Sequence, residues 1–189
     1  MSGSESARDL ELLRKVADND RNAIALLYQR HHLRLYRYLL RFVKSDAVAE
    51  ELVNETFLEV WRAAGRFEGR SKVSSWIISI GRNKAISLLR KRSDAELDED
   101  YASGLEDESD TPEVATLKQD KAAALRDCIN RLGQQHREVI DLVYYQEKPI
   151  KEIATILEVP ENTVKTRVFH ARKKLSELMS KAGIDRGWP

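Results

Sequence analysis

The stretch from Pro149 to Leu175 constrains this chain more than any other, because it admits two short helices joined by a tight turn and little else. Ile150, Ile153, Ala154 and Leu157 repeat at helical spacing and form one apolar stripe. Val159 falls in the turn, pointing inward. Pro160 suits the start of a second helix, where its missing N–H would have no partner anyway. Val164, Val168 and Leu175 give that second helix a buried side. Glu161, Asn162, Lys165, Thr166, Phe169, His170, Arg172 and Lys173 are left for its other faces. From Glu161 to Glu177 five cations stand against two anions, whereas a merely solvated face more often mixes signs. The pattern is that of a helix-turn-helix offering cationic and polar groups to a DNA groove. An ordinary helical hairpin is the alternative.

Charge is segregated along the chain. Ten acids and no Lys or Arg lie between Asp94 and Glu113; removing those ten from a net charge of +1 leaves +11 on the remainder. The acidic stretch includes Ser103-Gly104 and Thr111-Pro112, has little apolar content and no periodicity, and reads as a linker. It divides 189 residues into an N-terminal part, 1–93, and a smaller C-terminal part, 115–182, with linker 94–114 and tail 183–189. An apolar fraction of 42% suffices for two packed cores.

Helical periodicity predicts elements at about 7–17, 21–43, 47–64, 73–92, 117–132, 135–146, 150–157 and 161–179, with no competing strand pattern. Ser45-Asp46 offers a cap for the third helix, and Gly133 a stop before the sixth. The expected fold is all-α, two small helical domains on a flexible acidic tether. No apolar run approaches the roughly 20 residues that cross a bilayer, and the N-terminus lacks a secretion signal, so a cytoplasmic protein without membrane insertion is expected. Cys128 is the single cysteine and reads as a small core residue. The four histidines have no ligand-like grouping, so neither metal nor cofactor is expected, and no nucleophile–base pair suggests an enzyme.

Two further surfaces emerge before the linker. On the third helix, Val48, Leu52, Val53, Thr56 and Val60 face a core, while Glu51, Asn54, Glu55, Leu58 and Arg62 share another strip. Acids, an amide and an apolar group in one strip suit a partner's basic helices, or simply water. From Arg62 to Arg92, nine cations stand against Glu68 alone, beside a short loop containing Gly69. Such a surface suits single-stranded DNA, with phosphates neutralised and an unstacked base pocketed. Trp76, spaced with Ile77 and Ile80, fits either a core position or a stacking platform.

In order and spacing these motifs resemble the extracytoplasmic-function (ECF, group IV) sigma factors of bacterial RNA polymerase. The resemblance rests on Asp46 through Trp61 with its Glu-Thr-Phe centre, Phe67-x-Gly69 followed by Trp76 and Asn83, Arg90-Lys91-Arg92, and the ending Ala171-Arg172-Lys173-Lys174-Leu175. It implies a sigma-two domain that docks on core polymerase through Asp46, Glu50, Glu51, Asn54, Glu55, Leu58 and Arg62. It also implies that Phe67, Glu68, Gly69, Arg70, Ser71, Lys72, Trp76, Arg82, Asn83, Arg90 and Lys91 capture a flipped base and hold the single non-template strand at the minus-ten element. A sigma-four domain would place Glu161, Asn162, Thr163, Lys165, Thr166, Arg167, Phe169, His170, Arg172 and Lys173 at the minus-thirty-five duplex. The linker would thread toward the RNA exit path, and an anti-sigma factor would occlude the docking faces until a stress or envelope signal arrives.

Three positions depart from the family pattern. Asn54 stands where Gln is usual, Ser87 where Asp is frequent, and His170 where Arg is frequent. A neutral imidazole cannot make Arg's two-pronged contact to guanine, so His170 changes the expected upstream preference. A stand-alone helix-turn-helix regulator is the rival reading; it leaves the N-terminal basic surface unexplained and lacks a dimerisation segment. A sigma mimic that sequesters an anti-sigma factor would not need DNA-facing cations. The tail aromatic, Trp188, suits packing on the second domain or contact with a partner.

Overall fold

The computed structural model of the chain describes residues 2–96 and 116–183, in two compact units. Among these residues every regular element is helical. The acidic segment 97–115 and residues 184–189 lie outside them, so the linker and tail readings are not addressed by the fold.

The N-terminal unit comprises α1 (Ser2–Ala17), α2 (Arg21–Val43), α3 (Asp46–Ala63), a 3-10 turn (Ala64–Arg66) and α4 (Val73–Glu96). Asp20 starts α2 as a side-chain cap, its Oδ1 accepting the N–H groups of Asn22 (2.8 Å) and Ala23 (3.2 Å). Lys44 ends α2 in the left-handed conformation, its N–H returning to the Leu40 carbonyl at 2.8 Å. Ser45 does occupy the cap position of α3, but its side chain makes no capping bond. α1 packs against α2, α3, α4 and the 3-10 turn. Leu13, Val16, Leu27, Leu35, Tyr38, Leu39, Val60 and Ile77 form the fully buried centre. Truncating one of these leucines to alanine costs about 2–5 kcal/mol.

Two polar features orient these helices. Asp9 of α1, only 5% exposed, receives Arg30 Nε at 2.7 Å and lies 2.9 Å from His31 Nε2, which ties α1 to α2. Burial opposes the Asp9 charge, but His31 and Arg30 outweigh it and hold the carboxyl below its ordinary range. At Gly81, α4 runs so close to its neighbours that an added Cβ would meet Leu35 Cδ1 at 2.9 Å and Thr56 Oγ1 at 3.3 Å. Glycine permits that approach because it carries no side chain.

The C-terminal unit comprises α5 (Thr116–Asn130), α6 (Gln134–Ile140), which widens into a π-helical turn (Asp141–Tyr145), α7 (Ile150–Leu157) and α8 (Glu161–Lys181). α8 packs on α6 and α5, with Val164, Ala171, Leu175 and Leu178 buried. Cys128 is buried, the core position expected of a lone cysteine. Gly133 does not stop α5 in a left-handed turn. Its φ is −59°, and its carbonyl starts α6 by accepting from His136 (2.9 Å) and Arg137 (3.0 Å). Pro160 likewise caps α8 from outside: its carbonyl accepts from Thr163 (2.9 Å) and Val164 (3.2 Å). The tight α7–α8 turn is made by Glu158 at φ +55°, followed by the bond from Val159 N–H to the Ala154 carbonyl at 3.1 Å. Val159 is half-buried there.

Candidate functional surfaces

Helical spacing and burial put Glu51, Asn54, Glu55, Leu58 and Arg62 on one exposed face of α3, opposite buried Leu52, Val53, Thr56 and Val60. Leu58 is 57% exposed amid charged and amide neighbours, a large apolar group with water around it. Asn54 does not stand alone. The Tyr28 hydroxyl donates to its Oδ1 at 3.5 Å, while the Tyr28 ring stacks on His32 (centroids 4.9 Å, planes 4° apart) and leans on Phe57. Asp46, at the head of α3, accepts the Tyr36 hydroxyl; that bond, burial and the charges of Asp46 and Glu50 raise the phenol's pKa. Asp46 therefore already has a partner within the chain, whereas Glu50 is exposed.

The loop after the 3-10 turn is built around one glycine. Phe67 caps the turn through its N–H to the Ala64 carbonyl (3.2 Å), and Gly69 follows at φ +70°, a conformation that side chains resist. Glu68 and Arg70 form an ion pair across it, both largely exposed. Ser71 donates its hydroxyl to the Lys72 carbonyl at 3.4 Å, and that carbonyl in turn accepts the N–H groups of Ser75 and Trp76 at 3.0 Å, starting α4. Trp76 is half-buried, with its ring tilted 53° against Phe67 at 5.1 Å. It belongs neither to the core nor to an open platform; it props the loop from one side.

Along α4, Asn83, Arg90 and Lys91 are exposed and stand on one side at spacings of seven and eight. Arg82 is half-buried and lies about a quarter-turn from Asn83 and Arg90, on the flank away from Lys91. Lys84, which sequence reasoning counted only among the cations, reaches Glu55 of the α3 face at 3.3 Å. No local pattern could have revealed that pair, since the partners are 29 residues apart.

On α8, Asn162, Thr166, Phe169, His170 and Lys173 form one exposed strip, with Lys165 and Arg172 on a second flank beside Glu161. Thr163 and Arg167 lie on the flank beyond His170 and are half-buried. Thr166 bonds back to the Asn162 carbonyl at 3.0 Å, which fixes its hydroxyl. Phe169 is 65% exposed, its edge against His170. The strip runs on into an open groove of about 340 Å³ lined by Arg131, Gly133, His136, His170, Lys173, Lys174 and Glu177. Arg131 and His136 were missed by sequence reasoning, because only the packing of α6 on α8 brings them beside His170.

Among the described residues, no group of three or more His, Cys, Asp or Glu side chains is placed to hold a metal ion. Nor is any described helix long and apolar enough to cross a membrane. The described surfaces are an acidic and apolar face beside a basic one in the first unit and a basic helix in the second.

Comparison with known proteins gives that arrangement relatives. The family model of sigma-70 region 2 matches residues 27–95, and that of sigma-70 region 4 matches residues 122–175. The ECF RNA polymerase sigma factor SigL of Mycobacterium tuberculosis is 32% identical over 165 residues, spanning 85% of this chain and 90% of that protein. The RNA polymerase sigma-H factor of Pseudomonas aeruginosa is 25% identical over 181 residues, spanning 91% and 94%. Among solved structures, CnrH in complex with the cytosolic domain of CnrY aligns with a TM-score of 0.68 at 25% identity, covering 92% of this chain and 98% of that one. The sigma factor RpoE of Bartonella quintana, bound to the anti-sigma factor NepR, aligns at 0.66 and 25% identity, covering 85% and 98%.

Proposed function

Because the chain belongs to the ECF branch of the sigma-70 family of RNA polymerase sigma factors, we propose that its exposed surfaces divide the work of starting transcription among themselves. The protein binds core RNA polymerase and directs it to promoters. In this reading residues 1–93 form the sigma-two domain, 94–114 the linker and 115–182 the sigma-four domain.

The α3 face carrying Glu51, Asn54, Glu55, Leu58 and Arg62 docks on core polymerase, with Leu58 as the apolar anchor and the carboxylates set for basic partner groups. Glu50 adds charge at the edge, and Asp46 contributes mainly by holding Tyr36. The Phe67–Lys72 loop, shaped at Gly69 and propped by Trp76, receives a base turned out of the opened minus-ten element. Asn83, Arg90 and Lys91 bind the phosphates of that strand, with Arg82 supporting from the side. On α8, Asn162, Thr166, Phe169, His170 and Lys173 enter the major groove at the minus-thirty-five element, flanked by Lys165 and Arg172 on phosphates. Glu161, Thr163 and Arg167 stand at the margins of that contact. Each base read directly contributes about 1–3 kcal/mol of discrimination. The chain does no covalent chemistry; binding energy drives strand opening.

The observation that carries this reading is the juxtaposition, in one small bundle, of an exposed acid–amide–leucine face on α3 and a cationic loop and helix on α4. A stand-alone helix-turn-helix regulator needs neither surface. Control by an anti-sigma factor follows from the relatives solved with the cytosolic domain of CnrY and with NepR, and it is proposed here for this chain.

Run-off transcription tests the whole. The chain plus core polymerase should initiate from a subset of promoters in a genomic library, and neither component should do so alone. Initiation without core polymerase, or none with it, overturns the reading.

A further inference from the structure

Lys84 stands outside the strand-binding residues assigned above, yet it occupies the seam between the two surfaces of the N-terminal unit. It lies seven residues before Lys91, two turns along the same side of α4, on the edge turned toward α3. Its Nζ is 3.3 Å from Glu55 Oε2; the lysine side chain is 28% exposed and the glutamate 48%. Glu55 in turn is a member of the α3 face with Glu51, Asn54, Leu58 and Arg62. One carboxylate thus serves both surfaces.

We infer that Lys84 is a further single-strand-binding cation whose use is conditional on docking. In the free protein Glu55 holds it. When a cationic group of the polymerase engages Glu55, Lys84 turns to a phosphate of the opened strand beside Lys91. The inference rests on the reading of α3 as the docking face and α4 as the strand face.

The physical case has three parts. An ion pair this exposed is weak, because water screens it and two long side chains must be ordered to keep it. A partner that brings several cations at once can therefore take the carboxylate. While Glu55 stays unmatched by a partner, its negative charge sits against the lysine and repels a phosphate approaching the same spot. Lysine is suited to the exchange: its ammonium is a compact charge with three donors on a flexible stem, so it can redirect without moving α4.

The test uses the full-length chain and a short fluorescent single-stranded oligonucleotide across a salt series. Glu55→Gln should bind it about three- to tenfold more tightly than the unaltered chain, with the log-affinity against log-salt slope steeper by about 0.7 for one added phosphate contact. Lys84→Gln added to Glu55→Gln should abolish that gain, and Lys84→Arg should retain it. Glu51→Gln, one turn earlier on the same face, removes the same charge and should give a smaller gain that survives Lys84→Gln. No gain from Glu55→Gln, or a gain that persists without Lys84, overturns the inference. Core-polymerase affinity of Leu58→Asp, measured in parallel, tests the docking face separately. Undiminished affinity there removes the face on which the inference depends. Lost affinity there, with oligonucleotide binding unmoved by Glu55→Gln, leaves the docking face standing and rejects the role of Lys84.

Discussion

The two units handle their charges differently. In the N-terminal unit, acidic and basic side chains are paired with each other: Glu55 with Lys84, Glu68 with Arg70, Glu59 with Arg66. In the C-terminal unit, α8 carries Lys165 and Lys173 exposed on neighbouring flanks, and the ion pair that the helix itself displays, Lys174 to Glu177, lies in its last third. On the roles proposed above, the surface that holds the opened strand is cross-linked to the surface that docks, and the surface that reads duplex is simply presented. Those roles would make binding conditional in the first unit and direct in the second.

Packing offers the most severe way to break this contrast. Gly81→Val places carbon atoms against Leu35 and Thr56 at the crossing of α4 with α2 and α3. It should cost the N-terminal unit about 1–3 kcal/mol, seen as an earlier urea transition, and weaken both of its surfaces together while duplex binding by α8 persists. Loss of one surface alone would show that the two are not mechanically joined. Next in size, Lys165→Ala should weaken holoenzyme binding to a minus-thirty-five duplex by about tenfold and flatten its salt slope by about 0.9, the value for one phosphate contact. An unaltered slope would mean that this flank of α8 faces away from DNA.

The smallest effect concerns acid. The folded pKa of Asp9 lies below its unfolded value because His31 and Arg30 favour the carboxylate. The carboxylate therefore stabilises the fold above the unfolded pKa, and that contribution is lost as pH falls through the folded value. Asp9→Asn should lower stability at neutral pH and make the acid limb of the N-terminal unit shallower. Parallel acid limbs for the two proteins would show that the Asp9 cluster carries no linkage.

How much of this was legible beforehand varies with distance along the chain. α2 and α7 were bounded correctly, since the apolar spacing from Ile24 to Phe42 and that of Ile150, Ile153 and Leu157 are local signals. α1 begins earlier than its apolar spacing suggested; residues 2–6 are three serines, a glycine and a glutamate, whose low helical propensity gave no sign of it. α4 continues to Glu96, past the end read at Arg92, since nothing between them breaks a helix. Gly133 was taken for a stop because glycine so often ends helices; its ψ of 151° instead suits the start of the next one. The π-helical turn at Asp141–Tyr145 had no sequence signal at all. For the surfaces, residues three, four or seven apart on one helix fall on common exposed faces, as helical geometry requires. Arg82, Thr163 and Arg167 lie on the flanks of those faces and are half-buried. The contacts of Asn54 with Tyr28, of Trp76 with Phe67 and of Lys84 with Glu55 join residues beyond one helical turn, and only the folded bundle brings them together.

The bare backbone of Gly81 has a mechanical meaning. Where a side chain would have served as a cushion, α4 instead lies flush against Leu35 and Thr56, and close-packed interiors yield little. A load placed on α4 at that crossing would meet α2 and α3 with little slack between them, which favours the three helices moving as one body.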